Sequence, residues 1–215
     1  MAKTKKPMKK APQKKQVKAA KAPKKEQKLE VKPAAQENKV EIQVVNIVVS
    51  TSLEHDVPLE KMAATLSNTE YNPEQFPGLV IRIKEPKTSA LIFSSGKVVC
   101  TGARSMQKVE ESIQKIIESL QKIGIKITIK PKINIQNIVA SGSIGMDLNL
   151  NVLAMKLSNT EYEPEQFPGL VYKLMEAKAT FLLFSNGKVV CTGTKSEAEV
   201  HTALDLLVKN LKKVM

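Results

Sequence analysis

The chain has 215 residues, is 42% hydrophobic, carries two cysteines and has a formal net charge of +13. That length and apolar content suit one or two small domains with a core of their own. They exclude a disulfide framework and a helical membrane span, since no apolar run approaches the roughly 18–20 residues a bilayer requires.

Residues 1–39 hold 14 Lys and 3 Glu, a balance of +11 that leaves only +2 for residues 40–215. The basic character therefore belongs to a tail, not to a basic fold. Pro7, Pro12, Pro23 and Pro33 interrupt any helix in this stretch, and it has almost no apolar residues to offset the entropy of ordering. It reads as disordered. A solubilising tail and a non-specific polyanion grip are equally compatible with its composition. It lacks the apolar core of a secretory signal, and the cysteine usage fits a reducing, intracellular setting.

From Val40 onward the chain repeats itself at a constant offset of 91 residues. Ser67 through Val80 matches Ser158 through Val171 at 13 of 14 positions, Asn72 against Glu163 being the exception. The same offset relates Asn46-Ile47-Val48 to Asn137-Ile138-Val139 and Gly96 through Gly102 to Gly187 through Gly193. Two copies are too few for a solenoid. They predict one pseudo-twofold body with units at 40–130 and 131–215 whose halves share a sheet.

Each unit predicts the same order of elements. An apolar strand comes first, near 42–50 and 133–141. A short helix follows, near 57–66 and 148–157, with Asp56 and Asp147 expected as N-caps. A loop punctuated by Asn-Pro and Pro-Gly leads to three strands, near 78–84, 88–94 and 97–102 in the first unit, with tight hairpins at Ser95-Gly96 and Asn186-Gly187. A long helix closes each unit. In the first, Ser105 is the expected cap, Gly124 the expected stop, and Val109, Ile113, Ile116, Ile117, Leu120 and Ile123 share one face. Val200, Leu204, Leu207 and Leu211 do the same in the second.

The hairpin strands carry the functional signal. Alternation puts Ala90, Ile92, Val98 and Cys100 on one face and Leu91, Phe93, Val99 and Thr101 on the other. Both faces are apolar. Two long helices can cover one of them in an α+β layer, and no further element remains for the second. A large uncovered apolar face implies a partner, either a homodimer or second buried layer, or a ligand.

Enzyme chemistry finds little support. His55 and His201 are isolated and no Cys/His group has metal spacing. Gly96-Lys97 and Gly187-Lys188 lack the full phosphate-loop pattern. No nucleophile and base are paired. Cys100 and Cys191, on the expected helix-covered face, read as core residues. The expectation is a non-enzyme without metal or cofactor.

The duplicated motifs Asn-Ile-Val and Glu-Tyr-x-Pro-Glu-Gln-Phe-Pro-Gly-Leu, together with Glu85 through Lys97, resemble the core domain of the TATA-box-binding proteins over about residues 40–213. The resemblance implies an α+β saddle, one curved antiparallel sheet with helices on its convex face and DNA in its concave one. The family is itself a standing example of strand-borne minor-groove binding with kinking, so the following roles are inherited from it. Phe76 and Phe93 match one wedging pair, Phe167 and Phe184 the other. Asn46, Asn137, Gln136, Thr101 and Thr192 match polar base contacts. Val48, Val99, Val139, Val190, Leu91 and Leu182 match apolar ones. Arg82, Lys97, Lys173 and Lys188 match phosphate contacts. Val45, opposite Gln136 in the repeat, departs from the polar pattern.

The resemblance also implies partners: double-stranded DNA at a TATA box, transcription factor B, met by Glu163 and Glu165, and through it the RNA polymerase pre-initiation complex. A homodimer off DNA is a further expectation, and no membrane partner is. Without a long glutamine tract the chain looks archaeal, which implies a cytoplasmic, nucleoid-associated protein (nuclear if eukaryotic). The competing reading is a saddle-shaped nucleic-acid-binding module of a DNA- or RNA-processing system, which would bind duplex without recruiting a factor.

Overall fold

The computed structural model describes residues 40–215, so the expected disorder of residues 1–39 concerns a segment outside the described residues. One ten-stranded antiparallel sheet organises the body. Its first half consists of β1 (Glu41–Ser52), α1 (Leu59–Thr65), β2 (Thr69–Glu70), β3 (Gly78–Ile83), β4 (Thr88–Phe93), β5 (Lys97–Ala103) and α2 (Met106–Lys122). The second repeats this order with β6 (Asn134–Ser143), α3 (Leu150–Lys156), β7 (Thr160–Glu161), β8 (Leu170–Leu174), β9 (Ala179–Leu183), β10 (Lys188–Thr194) and α4 (Glu197–Val214). A 3-10 turn, Met175–Ala177, joins β8 to β9. The strand order is β2-β3-β4-β5-β1-β6-β10-β9-β8-β7, which reads the same from either edge once the halves are exchanged.

The pseudo-twofold axis falls between β1 and β6, where Ile47 faces Ile138. Val45 is the extra residue of a bulge on β1, and Gln136 is its counterpart on β6. A second pair of bulges lies at Gly102 in β5 and Gly193 in β10, with φ of 100° and 98°, a conformation that glycine adopts without strain.

All four helices contribute to one core on one side of the sheet. Alternate strand residues Ile47, Val49, Leu79, Ile81, Ala90, Ile92, Val98 and Cys100 are buried, as are Ile138, Ala140, Phe181, Leu183, Val189 and Cys191. Against them pack Val109, Ile113, Ile116, Ile117 and Leu120 from α2 and Val200, Ala203, Leu204, Leu207 and Leu211 from α4. Each large aliphatic side chain buried here stabilises the fold by about 1.5–3 kcal/mol. Burial pushes the thiols of both cysteines up, Cys191 to about 11, so neither forms a thiolate near neutral pH.

The long helices begin and end for local reasons. Ser105 Oγ accepts from the Lys108 N–H and Ser196 Oγ from the Glu199 N–H. Glu199 also reaches back to the Lys195 N–H at 2.8 Å. At the end of α2, Ile125 N–H donates to Leu120 O and Gly124 N–H to Gln121 O, a Schellman stop.

The short helices correct two expectations. Asp56 and Asp147 are not N-caps. Pro58 precedes α1 without a side-chain cap, and Asn149 caps α3 by accepting from the Val152 N–H. The reason is tertiary: Val57 and Leu148 are buried and donate their N–H groups, at 2.8 Å each, to Ser94 O and Ser185 O in the hairpin turns. That pinning keeps the chain extended beyond the aspartates, so each helix starts later. The loops before β3 and β8 also contain two-residue edge strands, β2 and β7, that sequence patterning does not reveal.

Candidate nucleic-acid interface

The face opposite the helices carries the side chains of the other parity. Cross-strand register aligns Val80, Leu91, Val99 and Ser50 in one row and Val171, Leu182, Val190 and Ser141 in its mate. All eight are half-buried with no helix over them, as are Val48 and Val139 at the centre. The apolar floor expected from Val48, Val99, Val139, Val190, Leu91 and Leu182 is therefore contiguous. Val80 and Val171 belong to it as well; only the β3–β4 and β8–β9 registers reveal their position.

Polar groups interrupt this floor at two related places. Asn46 Oδ1 accepts from the Gly102 N–H at 2.7 Å, and Asn137 Oδ1 from the Gly193 N–H at 2.8 Å. A backbone N–H can only donate, so it fixes which end of each carboxamide is oxygen. The amide nitrogens then lie 3.1 Å from Thr101 Oγ1 and 3.0 Å from Thr192 Oγ1. Each NH2 keeps a second N–H with no partner among the described residues. The glycine bulges thus turn each asparagine into an oriented donor beside a threonine hydroxyl. Gln136 stands on its own bulge and donates to Ser50 Oγ at 2.7 Å, whereas Val45 at the related place has no polar group to offer.

Aromatic pairs close both ends of the face. Phe76 and Phe93 meet edge to face with ring centroids 5.9 Å apart and an interplanar angle of 62°. Phe167 and Phe184 repeat this at 6.0 Å and 67°. Phe76 is 44% exposed and Phe167 43%, although a phenyl ring ordinarily goes to the core. Sequence parity places Phe93 and Phe184 here but is silent on the loop residues Phe76 and Phe167. Tight turns bring those in: Phe76 N–H donates to Asn72 O and Phe167 N–H to Glu163 O, both at 3.0 Å.

The four basic candidates stand in two kinds of surroundings. Lys97 and Lys188 are exposed at the starts of β5 and β10. Arg82 is paired to Glu70 by two bonds of 3.1 Å, and Lys173 to Glu161 at 2.6 Å. The mutual hydrogen bond, then the charge attraction, lowers the pKa of the Glu70 carboxyl and raises that of Arg82. These pairs join an edge strand to its neighbour twelve residues on. Next to Arg82 lies a cleft of about 590 Å3 lined in part by Val45, Asn46, Lys84, Lys87, Thr101 and Arg104. Glu163 and Glu165 are exposed in the loop before Phe167.

Among the described residues no group of His, Cys, Asp or Glu could hold a metal ion, and no helix is long and apolar enough to cross a membrane.

An open antiparallel sheet, built twice, with an uncovered apolar face and aromatic pairs at its ends, defines a duplicated α+β saddle protein. The family described as "Transcription factor TFIID (or TATA-binding protein, TBP)" matches twice, over residues 41–123 and 132–214. The TATA-box-binding protein of Methanocaldococcus jannaschii is 50% identical over 173 residues, covering 80% of this chain and 94% of that one. That of Pyrococcus furiosus is 47% identical over 172 residues, covering 80% and 90%. The solved structure of Methanococcus jannaschii TBP superposes with a TM-score of 0.77 at 50% identity, covering 81% of this chain and 99% of that one. The chain belongs to the TATA-box-binding protein family.

Proposed function

We propose that this protein binds the minor groove of TATA-box promoter DNA through the open face and nucleates transcription initiation there. The observation that carries this reading is the duplicated face itself, with one oriented Asn–Thr donor group and one exposed Phe pair per repeat. The minor groove presents A·T and T·A pairs almost alike, as acceptors, while G adds an exocyclic amine. Two asparagine N–H donors set in a floor of valines suit the acceptors and leave no room for the amine. The Phe pairs wedge into the end steps. TA steps are cheap to deform. The family is a standing example of such kinking, and unstacking costs roughly a few kcal/mol per step. Burying a Phe returns about 2–3 kcal/mol, so the wedges approximately offset the damage. Lys97, Lys188, Arg82 and Lys173 add phosphate contacts.

Units 40–130 and 131–215 are the two halves of this grip. Glu163 and Glu165 recruit transcription factor B, and through it the polymerase. The first repeat is less suited, because Asn72 replaces Glu163 and folds its own Oδ1 onto the Glu74 N–H. Mobility shifts on a TATA duplex and a scrambled one test the reading. Preference for TATA is expected; equal binding would favour a general duplex-binding module, and no binding would leave the open face to a second copy of the chain. Charge reversal at Glu163 and Glu165 should abolish the ternary complex with the factor and spare DNA binding.

A further inference from the structure

Gly78 begins β3 and Gly169 immediately precedes β8. Both are buried, and neither has a positive φ, so the backbone there would accept any residue. In a strand, glycine forfeits stability relative to alanine. What excludes a side chain is space. A Cβ on Gly78 would lie 2.7 Å from Phe76 Cε1 and 3.1 Å from Phe93 Cε1. On Gly169 it would lie 2.6 Å from Phe167 Cε1 and 3.1 Å from Phe184 Cε1. Carbon atoms pack comfortably only at about 3.5–4.0 Å. Each glycine therefore lies beneath both rings of its pair, and the arrangement recurs at two places 91 residues apart. Nothing else in the core meets these hypothetical atoms at comparable distance, for the three nearest atoms in each case all belong to the two rings.

We propose that Gly78 and Gly169 are positioning residues for the aromatic wedges. Their missing Cβ lets both phenyl rings settle on bare strand and project as one unit. This rests on the reading of the Phe pairs as DNA wedges. A methyl group at either site displaces an exposed ring into solvent and does not disrupt the core, so the damage falls on the wedge and not on the fold.

The test uses the full-length protein and a TATA duplex with 2-aminopurine at both end steps, so that binding in either orientation reports. Wild-type binding should raise the fluorescence as both steps unstack. Gly78→Ala and Gly169→Ala should each remove the share contributed by one end, and the double variant should remove it all. Affinity for the TATA duplex should fall about tenfold per glycine, or ~1.4 kcal/mol, while affinity for a scrambled duplex and the melting temperature do not fall. In a background with both Phe76→Ala and Phe93→Ala, Gly78→Ala should have little further effect. Full fluorescence from the glycine variants, or loss of their cooperative melting, would overturn the proposal. A wild-type protein that unstacks neither step would instead remove the wedge reading on which it rests.

Discussion

The two repeats share a fold but not a surface, and the places where they agree are not scattered. On the open face they agree to within 0.1 Å in the Asn–Gly bond and in the spacing of the Phe rings. On the flank they part: Lys84 in the first repeat's basic cleft corresponds to Met175, which is 67% exposed in the second. In the core they part again. Thr88 and Ser112 form a buried hydrogen bond of 2.9 Å in the first repeat, where Ala179 and Ala203 stand in the second. Conversely, Ala103 corresponds to Thr194, whose buried hydroxyl has no partner. Helices and sheet tolerate either choice beneath the face. On the proposed reading, the open face is the more alike of the surfaces because one nearly twofold duplex would have to fit both halves.

The sharpest way to break this comparison is at the wedges. Replacing Phe76 and Phe93 with alanine should cost up to about 4 kcal/mol of TATA affinity, roughly a thousandfold, the full loss applying where the end step is still forced open without its wedge. Replacing Phe167 and Phe184 should cost the same, as measured by fluorescence anisotropy. A large inequality would show that the ligand does not use the two ends alike.

Smaller effects are expected in the core, with opposite signs in the two halves. Ser112→Ala strips Thr88 Oγ1 of its closer partner and should destabilise by about 1–2 kcal/mol. Thr194→Val removes an unsatisfied buried hydroxyl and should stabilise by about 1 kcal/mol. Urea melts measure both, and DNA affinity should not change in either variant.

The smallest effect lies at the edge strands. Glu70→Gln and Glu161→Gln release Arg82 and Lys173 from partners that compete with phosphate. Binding should tighten by no more than about fivefold, as befits an exposed ion pair, with a steeper dependence on salt. Equal gains from both variants would place the two pairs among the symmetric parts of the molecule.

Much of this was legible in the sequence, for identifiable reasons. A constant 91-residue offset gives the twofold body directly. Alternation in Thr88–Phe93 and Lys97–Thr101 assigns Phe93 and Val99 to the uncovered face, because period-2 geometry holds wherever a strand is regular. It stops where the chain is irregular. The Asp56 and Asp147 caps fail because a distant hairpin carbonyl, not the local side chain, sets the backbone there. The Arg82–Glu70 pair depends on a two-residue edge strand too short to have a pattern. The seats at Gly78 and Gly169 look like ordinary loop glycines until the rings above them are placed. The bulges at Val45 and Gln136 shift parity in the middle of the central strands, and only the register reveals them.

The seam between β1 and β6 has one more consequence. It joins two strands of like sequence, and each would be a long, apolar, unpaired edge if its repeat stood alone. In effect it is a dimer contact whose partners are tied together by residues 124–133. Such a tether replaces the bulk concentration of a partner with an effective local concentration in the millimolar range. The twofold face therefore survives dilution at which two separate halves would drift apart.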